Sequence, residues 1–149
     1  VDIRGLALSL VERHGTRNPF KIADDLDYII ICTPLAGIRG FYQYLDRSHI
    51  IYLDNALDEK TQYWVCAHEL GHSFLHGKIN RIFMDTRTFA VTSKFERDAD
   101  RFASELLFDD YDIQDLLELP IAVVASCLGI SEQLAAYRMQ TVQPTLLAT

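Results

Sequence analysis

A chain of 149 residues, 49% hydrophobic and 23% charged, is long enough to bury a core and too apolar to stay disordered. Its net charge of −7 argues against direct nucleic-acid binding, which needs clustered Lys and Arg. No apolar run approaches the roughly 18 residues of a membrane span, and Val1 to Leu6 shows no basic-then-apolar leader, so the expected setting is the cytoplasm, away from membranes.

Ile3, Leu6, Ala7, Leu10 and Val11 keep helical spacing and predict a helix over about 2 to 14, ended by His14-Gly15. Asn18-Pro19 predicts a capped short helix to about Leu26. Tyr28 to Thr33, β-branched and apolar, reads as a buried strand closed by Pro34. After a loop at 35–40, residues 41–45, 46–48 and 49–53 read as strand, turn and strand of a hairpin. Asp58 is the expected N-cap of a central helix that runs to about Leu75 before Gly77 stops it.

Residues 78–93 are less regular; Ile82, Phe83, Phe89 and Val91 suggest short extended pieces or a mobile loop. Ser93 is expected to cap a third long helix whose apolar stripe is Phe95, Ala99, Phe102, Ala103, Leu106 and Leu107. Asp109 and Asp110 break it, and Ile113 to Leu119 follows as a short amphipathic helix ended by Pro120. Ile121–Leu128, the turn Gly129-Ile130-Ser131 and Glu132–Met139 read as helix, turn, helix, and a frayed tail begins at Gln143. The expected fold is α+β: one domain over 1–149, mainly helical, with a small antiparallel sheet of about three strands. Residues 2–110 form its core and 111–140 a helical segment like a degenerate helix-turn-helix. That pair lacks flanking basic residues apart from Arg138, so packing or partner docking is expected of it rather than DNA readout.

Cys32, Cys66 and Cys127 are odd in number, widely spaced and set among apolar residues, which predicts small core residues in a reducing compartment rather than disulfides. Residues 96–118 hold nine acids against two bases, the whole charge imbalance, and are expected to form a solvated acidic face.

The chemistry is concentrated in His68-Glu69-Leu70-Gly71-His72. Helix positions four apart differ by about 40° in direction, so His68 and His72 can offer two imidazole nitrogens to one metal ion. Glu69 lies about 100° round from His68, placed to take a proton from an attacking water. Val65, Cys66, Ala67, Leu70, Phe74 and Leu75 make this helix apolar on most sides, and buried His and Glu without partners are costly. A catalytic zinc needs a third protein ligand. His76 continues the spacing but lies about 12 Å along the helix from His68, too far to share an ion with bonds of about 2 Å. It is expected at the site edge or the surface, with a helper role as the lesser option. Nothing in the sequence recommends His14 or His49. Glu96, 24 residues after His72, shares a helix face with Asp100, which could hold the tautomer of a ligand histidine. The bland alternative is that both acids are solvated partners of Arg97 and Arg101.

His68-Glu69-Leu70-Gly71-His72-Ser73-Phe74-Leu75-His76, with the stretch from Glu96 to Leu107, resembles the ImmA/IrrE family of metallopeptidases. There the second motif reads approximately E-x-E-A-N/D-x-F-A-x-x-L-L-x-P; here Asp98 replaces the middle acid and Asp109 stands where proline is common. The resemblance covers about residues 2–140. It implies a zincin-like domain of bacteria, phages or mobile elements, with His68, His72 and Glu96 as metal ligands, Asp100 behind them and Glu69 as general base. The metal is expected to be one zinc ion, with manganese or iron as substitutes. The implied partner is a protein substrate, a DNA-binding helix-turn-helix repressor whose cleavage releases its genes. Tyr63, His76 and the 78–93 loop are the candidates for an oxyanion donor. The rival reading is a non-proteolytic anti-repressor that acts by binding, with a structural or vestigial metal site. The sequence leaves the oligomeric state open.

Overall fold

The computed structural model describes residues 1–77 and 89–142, the side chains of 89–93 excepted. The expected pieces at Ile82 and Phe83 and the tail from Gln143 lie outside the described residues. Helix α1, Ile3–His14, starts at Asp2, whose carboxylate accepts from the Gly5 amide. It stops at Gly15, whose φ of 66 lets its own N–H reach back to the Val11 carbonyl. Helix α2, Pro19–Asp25, is capped by the Asn18 side chain with Pro at its start.

The strands β1 (Ile29–Thr33), β2 (Gly40–Leu45) and β3 (Ser48–Asp54) form a sheet of order β1-β3-β2. Asp46 and Arg47, with φ of 50 and 64, make the two-residue turn between β2 and β3, a pairing of positive angles that matches strand twist. The sheet is mixed rather than wholly antiparallel: β2 lies between β1 and β3 in sequence, so β3 returns along β1 and pairs with it in parallel. β1 is also not the buried strand its composition suggests. It is an edge strand, and alternation turns Ile30 to the core while Ile29 and Ile31 are 45% and 37% exposed. Ile51 and Leu53 of central β3 are fully buried.

Helix α3, Glu59–Leu75, begins at Asp58, whose carboxylate accepts from Thr61 N at 2.7 Å. Its Val65, Cys66, Ala67 and Leu70 join Phe102, Ala103 and Leu106 of α4, Phe89–Leu107, in the main core. Each fully buried large side chain there contributes about 1.5 to 3 kcal/mol. The two helices approach closely at Gly71, where a Cβ would lie 2.8 Å from the Phe102 ring. Helix α4 begins upstream of the expected cap, so Ser93, Phe89 and Val91 all lie inside it; extending a formed helix is easier than restarting one at a favourable cap residue.

The next helix, α5 (Asp110–Gln114), lies upstream of the expected Ile113–Leu119, because Asp109 caps it and Asp110 and Asp112 favour its positive end. Helices α6 (Ile121–Leu128) and α7 (Glu132–Gln140) are joined through Gly129 and the Ser131 cap, with a small core of Val124, Ala125 and Ala135. Arg138 of α7, only 1% exposed, ties this pair to α4 and α5. It donates to the Ser104 and Phe108 carbonyls at 3.1 and 2.6 Å and to Asp110 at 2.7 Å. Asp110 also pairs with Arg4 of α1, which donates to Glu105 at 2.9 Å; Tyr137 donates to the other Glu105 oxygen.

The acidic stretch is therefore not one solvated face: Glu105 is fully buried and Asp110 is ion-paired. Two cysteines also depart from expectation, since Cys66 is buried but Cys32 and Cys127 are exposed on an edge strand and on the outer side of α6. Among the described residues no helix is long and apolar enough to cross a membrane.

Candidate metal centre

Helix α3 presents His68, Glu69 and His72 at the floor of a cleft of about 660 Å³, whose walls include Ile38 and Arg39 just before β2, Tyr42 within it, Trp64, and Glu96 and Asp100 of α4. Gly40 lets β2 come this close: a Cβ there would lie 2.7 Å from Val65 of α3 and 2.6 Å from the Tyr52 carbonyl.

The two histidines are held alike. Each turns Nε2 towards Glu96, at 2.9 Å for His68 and 3.1 Å for His72, and each turns Nδ1 away from it. His68 Nδ1 meets Asp100 at 2.8 Å, whereas His72 Nδ1 meets Nδ1 of His76 at 2.9 Å. With Nδ1 tied back, the inward Nε2 atoms and the Glu96 carboxylate converge on one point. The Glu96 side chain is 47% exposed, so the centre opens to solvent on that side, while Glu69 is buried. His68, Glu69 and His72 each offer an atom within 4.8 Å of the others. The same atoms thus define two candidate ligand sets, one completed by Glu69 and one by Glu96.

Electrostatics separates these acids. Burial lowers the His68 pKa, but hydrogen bonds to Asp100 and Glu96 outweigh it and raise it to about 10. Burial raises Glu96 in its turn, yet the two imidazoles beside it hold it far below the ordinary carboxylate range. Glu69 moves the other way: burial raises it, and the nearby histidines only partly offset that. Glu96 is the committed anion, and Glu69 is the acid whose environment favours taking up a proton.

The other expected residues lie elsewhere. His76 is 6% exposed, behind His72 and away from the cleft, between His72 and the Phe95 ring. Burial lowers its pKa. The Tyr63 hydroxyl accepts from Asn18 at 3.1 Å, and its ring lines a neighbouring cleft rather than the one over His68 and His72. His49 stacks on Tyr28 and bonds to the Tyr42 hydroxyl, and His14 pairs with Asp25. Sequence reading missed Arg39, Tyr42 and Trp64 as cleft walls and gave no partner to Asp98, which faces His76 at 3.5 Å. Asp98 is roughly 200° round the helix from Glu96, so a helical wheel directs it elsewhere; only the crossing of α3 and α4 brings His76 round to it.

Fold and site together define a class: a helix-rich α+β domain with a histidine–carboxylate centre in an open cleft. The chain belongs to the Peptidase_M78 family, IrrE N-terminal-like domain, which it matches over residues 23–140. It is 32% identical over 136 residues to immunity region protein 2 of Bacillus phage phi105, covering 89% of this chain and 86% of that protein. It is also 32% identical over 133 residues to metallopeptidase ImmA of Bacillus subtilis strain 168, covering 87% of this chain and 73% of that protein.

Proposed function

We propose that the chain is a zinc-dependent endopeptidase of narrow specificity whose substrate is a helix-turn-helix repressor of a phage or mobile element. One observation carries the assignment of the centre: the Glu96 carboxylate meets the Nε2 atoms of both His68 and His72 while their Nδ1 atoms are held from behind. Two imidazoles and a carboxylate suit zinc, with manganese or iron as possible substitutes. His68, His72 and Glu96 would hold the ion, which when bound polarises a carbonyl and makes water acidic enough to attack near neutral pH. Asp100 accepts from His68 Nδ1–H and so keeps the His68 Nε2 lone pair facing inward.

Glu69, raised in pKa and buried beside the cleft, receives the proton of the attacking water on its carboxylate and returns it to the leaving amine nitrogen. An extended substrate segment can add to β2, which among the described strands pairs only with β3, along the wall formed by residues 38–42. Membership of a peptidase family and a relative named a metallopeptidase support hydrolysis. A relative named for an immunity region fits a regulatory protein as substrate.

The test supplies purified, zinc-loaded protein with the repressor encoded beside its gene and follows fragments. The parent cuts once, while E69Q and chelated protein do not cut. If E69Q binds the repressor and relieves repression in cells without a cut, the non-proteolytic reading replaces this one.

A further inference from the structure

The geometry points to His76, held by Asp98, as the positioning residue of His72, through a neutral imidazole relay that takes the place of the carboxylate behind His68. The inference rests on the reading of His72 as a metal ligand and adds a role for two residues which that reading does not use.

A ligand histidine bound through Nε2 carries its proton on Nδ1 and needs an acceptor there. For His68 that acceptor is the Asp100 carboxylate at 2.8 Å. For His72 the atom in that place is Nδ1 of His76, at 2.9 Å. It can accept only if the proton of His76 sits on Nε2, and Nε2 of His76 faces Asp98 at 3.5 Å. Each donor then has an acceptor in one direction: His72 Nδ1–H to His76 Nδ1, and His76 Nε2–H to the Asp98 carboxylate. The reverse order would place a proton on Nε2 of His72, where the metal must bind.

Burial makes the arrangement specific. The His76 side chain is 4% exposed and that of Asp98 25%, so water has little access as a substitute acceptor. The Phe95 ring lies 4.5 Å from the His76 ring and limits its rotation. His76 follows His72 by one turn at the end of α3, and its backbone N–H still bonds the His72 carbonyl at 2.8 Å, which fixes the spacing of the two rings. The spacing that excludes His76 from the ion is the spacing that puts it behind His72.

The test measures zinc affinity by chelator competition on the full chain, alongside the melting temperature of each metal-free variant. H76L fills the space but offers no acceptor, and should weaken zinc binding by about 10- to 100-fold. H76Q can accept from His72 with its carbonyl and donate to Asp98 with its amide, and should recover most of that loss. D98A leaves His76 in place but frees its tautomer, and should weaken zinc by a smaller factor; it tests the relay even if H76L does not fold. Parental affinity in both H76L and D98A overturns the proposal. Equal weakening in H76Q and H76L overturns the hydrogen-bond role and leaves only packing. Failure of the parent itself to bind zinc overturns the underlying metallopeptidase reading instead, which the same titration reveals.

Discussion

Helix α4 carries two clusters of charge that differ in kind. Midway along it, Glu96, Asp98 and Asp100 face the histidines of α3. Two turns on, Glu105 is buried with Arg4, Arg138 and Tyr137, and Asp110 closes the group. The second cluster closes on itself: each acid has an arginine, and Arg138 also donates to the Ser104 and Phe108 carbonyls and to the Thr141 hydroxyl. The first leaves two inward imidazole nitrogens and a half-exposed carboxylate converging on a cleft. A buried group that closes on itself holds the fold together, whereas one whose inward atoms are all of metal-donor type has the chemistry to take an ion. One helix thus joins the chemistry to the C-terminal pair α6 and α7, which is anchored through Arg138.

The sharpest way to separate the clusters is through Glu69. E69Q should lower cleavage by about 100- to 10,000-fold while zinc content and melting temperature stay near those of the parent, measured by fragment assay, metal analysis and calorimetry. The converse break is R138A, which leaves Glu105 short of a partner in the interior. It should cost about 3 to 5 kcal/mol in denaturant unfolding, with the metal-free and zinc-loaded forms losing alike. Zinc at a hundredfold excess over its dissociation constant should add about 2.7 kcal/mol to the parent, and E96Q should lose most of that gain.

Acid distinguishes the closed cluster further. Burial raises the Asp110 pKa, but hydrogen bonds from Arg4 and Arg138 outweigh it and hold it at about 2 against an ordinary 3.8. A folded-state value below the unfolded one means that its stabilisation is fully present above about pH 4 and is lost as pH falls towards 2. Metal-free protein should show that loss in acid unfolding curves, and D110N should flatten it. The smallest effects belong to the exposed cysteines: C32S and C127S should each shift stability by less than about 0.5 kcal/mol.

Much of this arrangement was legible in local spacing. Four-residue steps placed His68 with His72 and Glu96 with Asp100, and in the structure these faces meet. Caps at Asn18 and Asp58 marked two helix starts, because each is a short-range hydrogen bond; Asp2 and Ser131 cap two more helices in the same way, which the reading of spacing alone did not single out. What escaped depends on packing between distant segments. Residues 29–33 have the composition of a buried strand, and only their place beside β3 makes them an edge. Glu105 reads as one acid among nine, and only the approach of α1 and α7 buries it. Asp98 meets His76 through a helix crossing that no wheel shows.

The roles of Glu96 and Glu69 are the centre of the account, since both acids lie beside the same two imidazoles. The direct measurement is zinc titration of metal-free E69Q and E96Q beside the parent. E69Q should bind one zinc per chain as tightly as the parent, while E96Q should bind far more weakly. Weak binding by E69Q with parental binding by E96Q would contradict these roles, making Glu69 the ligand and removing it as the general base.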